Sequence, residues 1–163
     1  MFRITQCLSV GRYASPERAG HLRAAGVTHV LNVADTPSRV LAGNDSFAAV
    51  EWVPIDDSER LTEAEAVRVL DTLHRLVSEP GAHVYVHCVA GQPRSPTVVW
   101  LYLIACGFDP ASAREVVEGR APGANPGGRR LGDSRVVYHV QLHGLRTYFP
   151  HPRPEALVPY DDE

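Results

Sequence analysis

Short segments rich in β-branched residues alternate with longer segments in which apolar residues recur at helical spacing. The short segments predict four β-strands, at residues 4–10, 27–33, 50–55 and 83–87. The first of these is expected to be a short edge strand. Pro54 lies near the end of the third strand, where the loss of a backbone donor is tolerated.

The longer segments begin with helix-capping signals. Ser15 and Asp109 each precede a proline at the first helical position, and Thr62 with Glu65 forms a capping-box pattern. Five helices are predicted: residues 16–26, 62–77, a segment that begins with Ser95-Pro96, 109–118 and 134–148. Alternation of strands and helices predicts an α/β fold in which helices flank a central, mostly parallel sheet.

The chain length fits a single domain followed by a short tail. A chain of 163 residues is long enough to bury a core without disulfides or metal. We expect the domain to cover residues 1–149. Residues 150–163 contain four prolines and end in Asp-Asp-Glu, so they are expected to form an extended, solvated tail.

Composition excludes several classes of protein. Hydrophobic residues make up 44% and charged residues 21%, which is typical of globular chains and not of disordered ones. The longest apolar run, residues 98–106, is too short to span a bilayer, and the first six residues do not resemble a signal peptide. A net charge of −3 gives no electrostatic reason to expect a nucleic-acid partner. Three scattered cysteines fit a reducing compartment. We therefore expect a monomeric cytoplasmic protein without a membrane or nucleic-acid partner.

The segment most informative about chemistry follows the fourth predicted strand. That strand leads directly into Cys88, then into a loop of small residues, and then into a helix. The amides and positive dipole end of a helix N-terminus favour an oxyanion, and they also stabilise a thiolate. Cys88 is therefore expected to be nucleophilic at neutral pH. Arg94 offers a guanidinium able to hold two phosphate oxygens, and Gly91 allows the backbone to turn.

These residues carry a resemblance to a known family. The pattern His-Cys-x5-Arg-Ser at residues 87–95 resembles the signature of the cysteine-dependent protein tyrosine phosphatases, in the form found in the dual-specificity branch. Residues 26–33, 52–57 and 120–126 are also similar to that branch, so the resemblance extends over residues 4–148. It implies a phosphorylated protein substrate and no metal or organic cofactor.

The resemblance also implies a role for each matching residue. Cys88 matches the nucleophile that forms a cysteinyl-phosphate, and Arg94 matches the residue that holds the phosphoryl oxygens. Ser95 matches a hydroxyl that hydrogen-bonds the sulfur and helps it to leave, and His87 matches a residue that orients the loop. The loop residues expected to bind phosphate, besides Arg94, are Val89, Ala90, Gly91 and Gln92.

The same resemblance implies an aspartate that protonates the leaving group and later activates water. It places this general acid at Asp57, with the adjacent Asp56 as the alternative. The sequence departs from the family pattern at Pro93, where the family usually has Ser or Gly. Proline has no N–H to offer a phosphate, so one loop donor is expected to be absent.

Other functions stay open at the level of sequence. An inositol phosphate could replace the phosphoprotein, although that substrate would favour cations in the loop, and Val89, Ala90, Gln92 and Pro93 are uncharged. A phosphate-binding module without turnover, or a sulfurtransferase, would use a similar loop. His139 and His143 share a helical face, but without a third ligand nearby they are not expected to bind a metal.

Overall fold

The computed structural model describes residues 1–56, 60–90, 93–128, 131–148 and 154–161. Its strands are β1 (Phe2–Arg3), β2 (Leu8–Gly11), β3 (His29–Asn32), β4 (Ala49–Trp52) and β5 (Val84–His87). They form a single sheet in the order β1-β2-β5-β3-β4. Every pairing is parallel except that of β1 with β2. This confirms the predicted α/β fold with a mostly parallel sheet.

The first strand differs from its prediction. The expected edge strand at residues 4–10 is wrong, because β2 lies between β1 and β5 and is buried along its whole length. The chain reverses after β1, and the amide of Ile4 donates to the carbonyl of Leu8 over 2.8 Å. The two-residue strand β1, not β2, therefore forms the edge.

The helices are α1 (Pro16–Ala24), α2 (Glu63–Val77), α3 (Arg94–Ala105), α4 (Pro110–Arg120) and α5 (Ser134–Thr147). Local capping explains several of their starts. Thr62 and Glu65 form the predicted capping box at α2, and Asp109 caps α4 by accepting from the amide of Ser112. Asp133 caps α5 in the same way. The predicted helices are confirmed, with α3 beginning one residue earlier than expected.

The sheet separates two apolar cores. Alternation along a strand sends successive side chains to opposite faces, so Leu31 and Val86 pack in a large core with α2, α3, α4 and α5. Every residue of α3 is buried, because it packs between β5 and those three helices. Val30 and Tyr85 belong to a smaller core with Leu22 of α1.

The described part of the C-terminal segment packs on the domain. Ala156 is buried, and the amide of Tyr160 donates to the carbonyl of Ile4 over 2.9 Å. The guanidinium groups of Arg3 and Arg120 lie 4.5 and 5.3 Å from the centre of the Tyr160 ring. The expectation of an extended, solvated tail is therefore wrong for residues 154–161. Residues 149–153 and 162–163 lie outside the described residues.

None of the helices in the described part of the chain is long and apolar enough to cross a membrane.

Candidate active site

The parallel strands β2, β5 and β3 have their carboxyl ends on the same side of the sheet. Gly11 of β2 and Asn32 of β3 both pair in register with His87 at the end of β5. The residues that follow these strands therefore lie close together. The carboxyl ends of the strands are where α/β sheets usually bind ligands. Cys88 directly follows β5, the central strand of the sheet.

Cys88 is buried below the start of α3. Its Sγ atom lies 3.4 Å from Oγ of Ser95, the second residue of that helix. Arg94 is the first residue of the same helix. The sulfur therefore lies near a helix N-terminus, whose amide groups and dipole stabilise negative charge. A thiolate and a bound oxyanion would both benefit from this field.

Arg94 is held from two sides in a buried position. Its Nη1 donates to the carbonyl of Ile55 over 3.3 Å and to Oδ1 of Asp35 over 3.4 Å. The Asp35 side chain is 76% exposed, whereas that of Arg94 is 9% exposed. Sequence reasoning missed Asp35, which follows β3 by three residues. The only signal in the sequence was that Asp35 follows a predicted strand. That signal does not show that this strand lies beside the strand leading to Cys88.

His87 is fully buried, and its ring contacts the backbone carbonyl of the next residue, Cys88. Its Nδ1 lies 3.3 Å from the carbonyl oxygen of Cys88, and its ring packs against those of Tyr13 and Tyr85. Among the described residues no partner reaches its Nε2. Burial lowers the pKa of His87 to about 4, although the contact with the Cys88 carbonyl opposes this effect. The ring is therefore neutral at pH 7, and any support for the thiolate comes from orientation and not from positive charge.

The loop after β2 is tied to the candidate phosphate loop, and sequence reasoning missed this contact too. The amide of Tyr13 donates to the carbonyl of Val89 over 3.2 Å. Oη of Tyr85 donates to the carbonyl of Arg12 over 2.6 Å. Gly11 permits this approach, because a Cβ there would lie only 2.4 Å from Oη of Tyr85. No single sequence motif indicates these two hydrogen bonds, because each joins residues from separate segments of the chain.

Several predicted site residues lie outside the described residues, namely Asp57, Gly91 and Gln92. Asp56 is described and exposed, so the choice between Asp56 and Asp57 as general acid stays a prediction. Val89 and Ala90 are exposed at the start of the loop. Pro93 occupies the N-cap position of α3 without a side-chain capping bond, and its carbonyl accepts from the amide of Thr97 over 3.2 Å.

Other reactive side chains lie away from the carboxyl ends of these strands. Burial raises the pKa of the Cys106 thiol to about 12, which makes it a poor nucleophile. Nε2 of His143 donates to Oδ1 of Asp71 over 2.8 Å. Within the described ranges, no group of three or more His, Cys, Asp or Glu side chains could hold a metal ion.

Comparison with known proteins identifies the family. Residues 4–135 match the family model described as PTP-SAK, Swiss Army Knife protein, DSP-PTPase phosphatase domain. The chain belongs to this phosphatase family. It is 32% identical to protein tyrosine phosphatase type IVA 2 of Mus musculus over 108 residues, which cover 63% of this chain and 62% of the mouse protein. It is 30% identical to dual specificity protein phosphatase 26 of Bos taurus over 86 residues, 51% of this chain and 41% of the bovine one. The chain thus spans between two fifths and two thirds of the length of these two relatives.

Solved phosphatase structures share the fold of this DSP-PTPase domain. Human DUSP28 superposes with a TM-score of 0.64 and 24% identity, covering 90% of this chain and 96% of the other. PTPMT1 gives a TM-score of 0.67 and 20% identity, covering 89% and 96%. At these identities the likeness supports the architecture, and the substrate has to be argued from the site.

Proposed function

We propose that the protein is a protein phosphatase that hydrolyses phosphotyrosine, with phosphoserine and phosphothreonine as further substrates, through a cysteinyl-phosphate intermediate. The observation that carries this proposal is the 3.4 Å contact between Cys88 Sγ and Ser95 Oγ at the N-terminus of α3, with Arg94 beside it. A strand-to-helix loop with a thiol at one end and a guanidinium at the other suits a phosphate monoester.

In the first step, the Cys88 thiolate attacks phosphorus. An S–P bond forms as the P–O bond to the tyrosine oxygen breaks, and Asp57 gives its proton to that leaving oxygen. Arg94 and the loop amides hold the three other phosphoryl oxygens, where they stabilise charge in the transition state. Because Pro93 has no N–H, the amide donors come from the rest of the loop.

In the second step, water attacks phosphorus while the Asp57 carboxylate takes a proton from that water. The S–P bond breaks, inorganic phosphate leaves and the Cys88 thiolate is restored. Ser95 assists by donating a hydrogen bond to the sulfur as negative charge returns to it. His87, neutral and directed at the Cys88 carbonyl, keeps the loop in position.

The second candidate substrate is an inositol phosphate or another small phosphate monoester. One observation favours it: PTPMT1 in complex with PI(5)P has the same fold, with a TM-score of 0.66 and 19% identity. The uncharged side chains of Val89, Ala90 and Pro93 favour the phosphoprotein, because a polyanionic headgroup would gain from cations inside the loop itself. We also propose a phosphatase domain at residues 1–149, on which the described residues 154–161 pack, in a cytoplasmic and monomeric protein.

Phosphate release from a substrate panel tests the proposal. The panel contains one peptide sequence phosphorylated on tyrosine, serine or threonine, beside soluble inositol phosphates, and Cys88→Ser serves as the blank for each. We expect the highest kcat/KM for the phosphotyrosine peptide. A higher kcat/KM for an inositol phosphate than for every peptide would replace the leading proposal with the second candidate.

A further inference from the structure

A second site adjoins the candidate phosphate loop. A cavity of about 570 Å³ lies between α1, the first residues of the chain and residues 121–124. Ala90, two residues after Cys88, forms part of its wall, and Gly11 and Tyr85 also line it. The cavity therefore adjoins the loop, although Cys88 itself is not among its lining residues.

Two arginines line this cavity. Arg12 and Arg18 contribute to its wall together with His21, and no Asp or Glu is among the lining residues. All three side chains belong to exposed residues. Arg18 donates to the carbonyl of Tyr13 over 3.2 Å. Within the described parts of the chain, no carboxylate lies within 4 Å of the Arg12 or Arg18 guanidinium groups. The cavity therefore offers positive charge to a ligand.

Hydrogen bonds hold the backbone of Arg12 beside the loop. The carbonyl of Arg12 accepts from Oη of Tyr85, and the next amide, that of Tyr13, donates to the carbonyl of Val89. Arg12 is thus tied both to β5 and to the residue that follows Cys88. A ligand group bound by Arg12 would therefore lie close to the phosphate loop.

The remaining lining residues are mostly small or apolar. Residues 121–124 have the sequence Ala-Pro-Gly-Ala, and Phe2 and Leu22 add apolar surface, Leu22 from the same helix as Arg18. A polyanionic headgroup carries charge around its whole ring and would gain from cations on all sides. A single carboxylate on a short hydrocarbon chain matches a cavity in which two guanidinium groups lie among apolar surface. The lining therefore fits an aspartate or glutamate side chain.

We propose that this cavity binds an acidic side chain of the phosphopeptide substrate and so selects phosphotyrosines with acidic neighbours. The inference rests on the proposed protein phosphatase activity. Ala90 lies at most about 8 Å along the backbone from Cys88, since consecutive Cα atoms are about 3.8 Å apart. The selected residue is therefore expected within three positions of the phosphotyrosine.

Three phosphotyrosine peptides test this selection. The first has Gln at the three positions on each side of the phosphotyrosine, the second has Glu at the three preceding positions, and the third has Glu at the three following positions. At low ionic strength we expect kcat/KM for one acidic peptide to exceed that for the neutral peptide by about five- to tenfold, the combined effect of two exposed charge pairs. Added salt should reduce this ratio.

Variants assign the selection to the cavity. In Arg12→Gln and in Arg18→Gln the ratio of acidic to neutral kcat/KM should fall about two- to threefold, because each change removes one of the two charge pairs. Arg23→Gln is the matched control: Arg23 is an exposed arginine of α1 that does not line the cavity, and its variant should keep the wild-type ratio. Because Arg18 also contacts the Tyr13 carbonyl, Arg12→Gln is the decisive variant.

The outcomes separate this inference from the proposed function. Hydrolysis of all three peptides with equal kcat/KM would overturn the inference and leave protein phosphatase activity standing. An acidic preference that persists in Arg12→Gln and Arg18→Gln would also overturn it. Hydrolysis of inositol phosphates with none of the peptides cleaved would overturn both.

Discussion

Cys88 and Ser95 are seven positions apart in sequence, yet Sγ of the first lies 3.4 Å from Oγ of the second. Cys88 directly follows β5 and Ser95 lies in the first turn of α3, so the two ends of the connecting segment lie close together. A hydroxyl at this distance can donate to a thiolate. This relationship supports the role that we propose for Ser95, which is to stabilise the sulfur when it leaves phosphorus.

Replacing Ser95 should slow the second chemical step. A hydrogen bond to a charged group contributes about 1.5–3 kcal/mol, so Ser95→Ala is expected to lower kcat by about 10- to 100-fold. The first step is less affected, because there the sulfur loses charge. Stopped-flow hydrolysis of 4-nitrophenyl phosphate should therefore show a burst of nitrophenol near one equivalent. Ser9→Ala, which alters another buried hydroxyl, should show no burst. A slow reaction without a burst in Ser95→Ala would place its effect on the first step instead.

The effect of replacing Asp57, the proposed general acid, should depend on the leaving group. Asp57→Asn is expected to lower kcat by about 10²- to 10⁴-fold, the usual effect of losing general acid–base catalysis. The loss should be larger for an alkyl phosphate than for a nitrophenyl phosphate, whose leaving group needs less protonation. Steady-state kinetics on both substrates measure it, with Asp56→Asn alongside. A larger loss in Asp56→Asn would move the role to that residue.

Asp35 is expected to compete with phosphate for Arg94. Its carboxylate lies 3.4 Å from Nη1 of Arg94 but is largely exposed, and such pairs contribute about 0.2–1 kcal/mol. Asp35→Asn should therefore lower the inhibition constant of inorganic phosphate by up to about fivefold. Competitive inhibition of nitrophenyl phosphate hydrolysis measures this, and Glu115→Gln on α4 controls for the change in net charge. Weaker inhibition in Asp35→Asn would show that the carboxylate positions the guanidinium.

Two buried histidines should make stability depend on pH. Burial lowers the pKa of His83 to about 4, with the charge of Arg3 adding to the effect, and burial lowers that of His87 to about 4. In the unfolded chain both titrate near 6.5. The unfolded state therefore binds more protons between pH 6.5 and 4, and the free energy of unfolding falls as pH drops through that window.

The size of this effect can be measured with one variant. At pH 5 each histidine is expected to reduce the free energy of unfolding by about 2 kcal/mol relative to pH 7. Urea unfolding of His83→Gln should show a pH 7 to pH 5 difference smaller than that of the wild type by about this amount. His139→Gln, at an exposed position, should match the wild type. An unchanged difference in His83→Gln would mean that His83 is protonated in the folded protein.

Local signals explain which features could be predicted from the sequence. The capping residues Thr62, Asp109 and Asp133 act within one helical turn, so the helices that they begin could be predicted. Cys88, Arg94 and Ser95 lie within eight consecutive residues, so the centre of the candidate site could be predicted as one motif.

Contacts between distant segments explain the rest. Asp35 and Arg12 reach the site only because β2 and β3 flank β5, and strand order cannot be read from hydrophobic patterning. The edge strand β1 has two residues, too few for a periodic signal. The C-terminal segment packs through pairing of Pro159 with Thr5, a contact that its proline-rich composition did not indicate.

The central claim, that Cys88 is the nucleophile, is tested most directly by the hydrolysis of 4-nitrophenyl phosphate by Cys88→Ser. A serine hydroxyl is almost entirely protonated at neutral pH, so the variant should lose essentially all activity. It should still bind vanadate and should keep the wild-type unfolding midpoint. Cys106→Ala, which alters a buried thiol away from the site, should remain active. Activity of Cys88→Ser above a few per cent of wild type would contradict the claim, since another nucleophile would then carry the reaction.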